Sequence, residues 1–107
     1  MMERETEQDG PIITLLHLKV DTQVGEEVVA TYRQLTPHLL DGVPELACSM
    51  LAQNRDPQSQ EPYLIISQWE NLAAYHMWES SSEHRRKLRP LVRLVNGLHP
   101  ETFQCVG

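Results

Sequence analysis

From Ile12 to Val20 (IITLLHLKV) the chain is almost unbroken in apolar character. In an extended strand Ile12, Thr14, Leu16, Leu18 and Val20 share one face, and Ile13, Leu15, His17 and Lys19 share the other. The first face is apolar along its length and the second turns polar at its end, which suits a sheet covered by helices on one side. From Gln23 to about Leu40 the period changes. Val24, Val28, Tyr32, Leu35 and Leu39 recur at helical spacing between Glu26, Glu27, Arg33 and Gln34. Pro37 should kink this helix or start a separate turn, and Asp41-Gly42 with Pro44 make the turn after it. Glu45 to Gln53 reads as a second strand, although its composition also tolerates a helix; the polar run Asn54 to Glu61 joins it as a hairpin to a third, Pro62 to Trp69. Asn71 caps a helix to Glu79. Ser80 to Ser82 breaks it, and Ser82 caps another with Glu83 in its first turn. This last helix carries Leu88, Leu91, Val92 and Val95, holds Pro90 as a defect, and ends at Asn96-Gly97; Thr102 to Val106 is the final strand.

The order is β-α-β-β-α-β, with the second helical segment in two pieces. It predicts an α+β, ferredoxin-like sandwich. Residues 1–10 (MMERETEQDG) read as a disordered tail ahead of one domain over 11–107. At 107 residues and 40% apolar the core is modest, and a small domain of this kind often hides an apolar face in a dimer. Fifteen acidic against nine basic residues, a formal charge of −6, argue against nucleic acid or an anionic membrane as partner. The one basic cluster, Arg85-Arg86-Lys87 with Arg89 and Arg93, reads as a solvated helix face. Cys48 and Cys105 lie in strand-like runs and read as small hydrophobes in a reducing compartment unless those strands are neighbours. No signal-peptide pattern and no apolar run of membrane-spanning length is present, so the cytoplasm is expected.

Chemistry concentrates at Trp69, a large aromatic where a strand gives way to a helix, a natural place for a pocket between sheet and helices. Its plainer role is a structural plug. Tyr75 and Trp78 follow on the helix and equally suit a packed face. His17, His76 and His84 form no i, i+4 pair and stand near no cysteine or carboxylate set at metal-site spacing, so no metal is expected. His76, directly after Tyr75, suits the rim of a cavity as a base near neutral pH. No nucleophile elbow, phosphate loop or CxxC is present.

Taken together, Gln68-Trp69-Glu70-Asn71, Tyr75, Trp78, Ser81, Glu83-His84 and Leu88-Arg89 resemble the antibiotic biosynthesis monooxygenase family, over nearly the whole chain from Ile12 to Val106. The resemblance implies a dimeric α+β barrel, two chains pairing their sheets with helices outside. One enzyme branch of that family, the cofactor-free oxygenases of aromatic polyketide pathways, has a Trp at the strand end, a Tyr six residues on, and an Arg twenty residues after the Trp behind a Leu. Trp69, Tyr75 and Leu88-Arg89 match. The branch also has an Asn four residues before the Trp and a His on the second strand, where this chain has Ile65 and the region Leu51-Ala52-Gln53. The heme-degrading branch has a Trp matched by Trp78, but its iron-ligating His falls on Leu88 and its Asn near Leu16, which argues against heme degradation.

The resemblance implies a homodimer acting without cofactor on a small apolar or aromatic molecule. Trp69, Tyr75 and Arg89 would orient it and stabilise its anion, with His76 or His84 as base; Leu16, Ile65, Ser67, Trp78 and His84 would line its pocket. The alternative is a non-catalytic binding module on the same fold, favoured by Ile65. Heme binding through His84 or His76 stands behind both.

Overall fold

The structure is a computed structural model that describes residues 10–41 and 43–107. The expected tail, residues 1–9, and Gly42 of the expected turn lie outside the described residues. Eight elements follow in order: β1 (Ile12–Lys19), a 3-10 turn (Thr22–Val24), α1 (Gly25–Asp41), β2 (Leu46–Gln53), β3 (Tyr63–Trp69), α2 (Leu72–Glu79), α3 (Ser82–Val92) and β4 (Gly97–Gln104). The strands form one antiparallel sheet in the order β2-β3-β1-β4, the α+β ferredoxin-like arrangement.

Strand alternation sorts the faces as the sequence implies. Ile12, Thr14, Leu18 and Val20 are buried on the helix side, with Ile65, Ser67 and Trp69 beside them on β3. Register fixes the floor of the site: Thr14 pairs with Ser67, Leu16 with Ile65, and Ser67 with Ser49. A bulge at Leu46/Cys48 takes up one extra residue, so that Leu46 comes opposite Trp69. Two apolar clusters result. One joins Leu18, Val28, Tyr32, Tyr63, Ile65 and Leu91; the other joins Ile12, Leu46, Trp69 and Tyr75.

Three expectations need correcting, for the last strand, the α3 cap and Pro37. The last strand begins at Gly97 and not at Thr102, because the backbone of 97–104 pairs residue by residue with β1 and Asn96 N–H reaches the Lys19 carbonyl at 2.7 Å. Pro100 is tolerated because β4 is an edge strand. The cap of α3 is Ser81, whose Oγ accepts from His84 N–H at 3.1 Å, and not Ser82. Pro37 does not divide α1; the helix continues to Asp41, and Thr36 Oγ1 adds a bond to the Tyr32 carbonyl at 2.7 Å. Cys48 and Cys105 are free, and β2 and β4 stand at opposite edges of the sheet.

Candidate functional site

Between the two apolar clusters, under α2 and α3, lies a cavity of about 450 Å³. Its floor is the helix side of the sheet: Thr14, Leu16, Leu46, Ser49, Ile65 and Ser67. Trp69, Tyr75 and Trp78 form an aromatic wall, and α3 closes the other side with His84, Arg85, Leu88, Arg89 and Val92. Leu98 and Pro100 of β4 complete the rim.

Local sequence explains how each group is held. Asn71 Oδ1 accepts from Ala74 N–H at 2.8 Å and caps α2, with only Glu70 between the cap and the strand end. That short corner stacks Tyr75 edge-on to Trp69, ring centroids 5.5 Å apart, and tilts Trp78 against it at 5.3 Å. Trp69 is 1% exposed, and its indole N–H donates to Thr14 Oγ1 at 3.2 Å. It is therefore both the plug at the corner and a wall of the cavity, with its one donor already engaged. Ser67 Oγ donates to Ser49 Oγ at 3.3 Å, and Ser49 Oγ lies 2.7 Å from Tyr32 Oη, a short polar thread through the floor.

Tyr75 Oη donates to Glu79 Oε2 at 2.9 Å. Burial pushes the phenol up to about 12, and the hydrogen bond and negative charge of Glu79 act in the same direction, so Tyr75 stays protonated across the neutral range. His84 has its ring edge-on to Trp78, centroids 3.9 Å apart, and its Nδ1 is buried with no hydrogen-bond partner among the described residues. Burial lowers its pKa below 6.5; the nearby Arg85 charge adds to this and Glu79 opposes it. The imidazole is thus neutral at pH 7.

The structure brings Trp69, Tyr75, Arg89, Ile65, Ser67, Trp78, His84 and Leu16 to one cavity. It does not bring His76 there: its side chain is 61% exposed, 3.7 Å from Glu79 Oε1 on the outer side of α2. The position after Tyr75 in a helix turns about 100° away from it, which removes His76 as a rim base. Arg89 is helical despite the following Pro90, which falls in the last turn of α3. The basic cluster divides. Arg85 and Arg89 line the cavity, whereas Arg86 pairs with Glu83 at 3.1 Å and Lys87 reaches the His38 carbonyl at 3.5 Å. Leu88, at the iron-ligand position of the heme-degrading branch, is buried in the wall. Glu79 and Thr14 were not anticipated. Glu79 stands at i+4 from Tyr75, a spacing that permits the contact, while Thr14 is linked to Trp69 only through the β1–β3 pairing.

An antiparallel four-stranded sheet with helices on one face and an aromatic-walled pocket between them defines the class. The chain belongs to the antibiotic biosynthesis monooxygenase family, whose family model matches residues 11–88. Protein SchA of Streptomyces halstedii is 30% identical over 95 residues, covering 89% of this chain and 24% of SchA, so the chain spans about a quarter of that relative. Among solved structures, a mutant of SnoaB, a cofactor-independent oxygenase from Streptomyces nogalater, superposes with a TM-score of 0.72 at 13% identity, covering 91% of this chain and 94% of SnoaB. A dimeric ferredoxin-like protein of unknown function from Jannaschia sp. CCS1 gives 0.72 at 18% identity, covering 90% and 100%. At these identities the structural likenesses establish the fold.

Proposed function

We propose that the chain is a cofactor-independent monooxygenase that oxidises a planar, electron-rich phenol to a quinone in this cavity, working as a homodimer. The observation that carries the reading is the neutral, half-buried His84 with an unpartnered nitrogen, set in an apolar aromatic-walled cavity beside Arg85 and Arg89. An apolar cavity of this size takes a few fused rings. A neutral imidazole accepts the phenolic proton, and the guanidinium groups at the α3 wall stabilise the phenolate.

The redox balance needs no outside reductant. The phenolate carbanion form gives electrons to O2, and a carbon–oxygen bond forms to make a ring peroxide. Loss of the hydrogen on that carbon and cleavage of the O–O bond leave a carbonyl and hydroxide, which leaves as water. One ring C–H and one O–H are lost, one oxygen enters the ring, and the substrate supplies all four electrons taken by O2. Tyr75 has its one O–H engaged by Glu79 Oε2, so it shapes the cavity wall and leaves only the lone pairs of its oxygen to face a ligand.

The test is oxygen uptake with a polycyclic phenol, without flavin and with EDTA present. The reading predicts substrate-dependent uptake, reduced about 10²–10³-fold in Arg89→Ala, the usual cost of removing a donor to a developing anion. One observation favours a second reading, a binding module: Ile65 puts a buried alkyl group on the floor where the oxygenase branch has an amide. That reading predicts ligand binding with no uptake, and a gain of uptake in Ile65→Asn.

A further inference from the structure

On the opposite face of the sheet from the cavity, we propose a binding site for a divalent transition-metal ion of borderline softness, of which Zn2+ is the type, held by His17, His99 and Glu101 with Glu61 behind the two imidazoles. His17 of β1 and His99 of β4 are directly paired in register, and their rings stack with centroids 5.1 Å apart. Glu101, two residues further along the same face of β4, places Oε1 2.5 Å from His17 Nε2. One ligand atom from each of the three lies within 4.8 Å of the others.

Glu61, at the end of the β2–β3 loop, supplies an independent observation. Its Oε1 lies 3.7 Å from His17 Nδ1 and its Oε2 lies 3.8 Å from His99 Nδ1, one oxygen facing each ring. These distances are ion-pair contacts and not hydrogen bonds; metal-bound imidazoles characteristically hydrogen-bond their second nitrogen to a carboxylate, which fixes the ring and raises its basicity, and an approach of less than about 1 Å would bring Glu61 into that role. With both Nδ1 atoms turned to Glu61, the Nε2 atoms are left to meet the cation beside Glu101. Two imidazoles and a carboxylate, with water in the fourth position, are a familiar tetrahedral Zn2+ set. Ligand atoms around such an ion stand roughly 3.3 Å apart, so the His17–Glu101 contact opens by less than about 1 Å to admit a cation. Two carboxylates face the two rings, and the chain as a whole is at −6. Lys19, next on this face, packs its stem over Gly97 and forms no ion pair with a described residue. All four side chains belong to one chain, and the inference does not depend on the reaction proposed for the cavity.

Titration calorimetry with Zn2+ on the purified protein tests it, with Co2+ spectroscopy to identify the ligands. The expected result is one saturable Zn2+ per chain, proton release on binding, and a Co2+ spectrum of nitrogen and oxygen ligation. His99→Ala removes the saturable site; His99 is 59% exposed, so this variant should keep the wild-type far-UV circular dichroism. Glu61→Gln leaves the three ligands in place and weakens binding about 10–100-fold. Absence of saturable binding overturns the proposal. So does a site that survives both His99→Ala and His17→Ala, or thiolate bands in the Co2+ spectrum, which would place the ion on Cys48 or Cys105.

Discussion

Trp69 illustrates how one side chain serves packing and site together. Its indole is enclosed by Ile12, Leu46 and Tyr75, and among the described residues its N–H is satisfied only by Thr14 Oγ1. Thr14→Val keeps the shape and orphans that buried donor, so chemical denaturation should show a loss of about 1–3 kcal/mol; a change within error would mean that the hydrogen bond does not hold the corner. Two titrations belong at this scale as well. His84 has a folded-state pKa below 6.5, so its contribution to stability is present above pH 6.5 and is lost as pH falls through the folded value. If it is the base, the acid limb of kcat/KM lies below pH 6.5 and disappears in His84→Gln; a limb above 6.5 assigns the proton elsewhere. Tyr75, raised to about 12, contributes stability that is present below pH 10 and lost between 10 and 12. Ultraviolet titration should show a tyrosine ionising near 12 that is absent in Tyr75→Phe and moves down in Glu79→Gln.

At the scale of elements, the corner from β3 into α2 sets the cavity wall. Asn71→Ala removes the bond to Ala74 N–H and should cost about 1 kcal/mol, with the stacking of Tyr75 on Trp69 reported by a change in near-UV circular dichroism. Most of this architecture was readable from side-chain period alone: the alternation of β1, the Tyr63–Trp69 strand and the asparagine cap each state their own structure. The first part of β4, 97–101, was not readable, because Asn96-Gly97 and Pro100 carry turn and breaker signals. Pairing with β1 overrode them, a tertiary effect invisible to local propensity. The cavity shows the same division. Trp69, Trp78 and Arg89 stand at family spacings. The contact of His84 with Trp78 depends on the angle between α2 and α3, and the exclusion of His76 follows from helical geometry that its place beside Tyr75 obscures.

For the whole molecule, the face of the sheet away from the helices is unusual in its chemistry. Its strand positions carry Ile13, Leu15, Leu64 and Ile66, none of them buried, and beside them Met50 and Phe103, which is 47% exposed. The proposed homodimer would cover this apolar surface. Light scattering after gel filtration should give a dimer, and Ile66→Glu should give a folded monomer by placing a charge in the joint. A wild-type monomer would remove the paired sheets from the account and leave the cavity, which one chain builds alone, in place.

The central claim is that this cavity uses the substrate's own electrons to insert one atom of O2. The most direct measurement is turnover of a polycyclic phenol under heavy-isotope oxygen gas in ordinary water, with EDTA and without flavin, followed by mass spectrometry of the product. The account predicts a quinone carrying one heavy oxygen atom, the other being recovered in water. A quinone whose new oxygen is light, or bound phenol that is never converted, would contradict it.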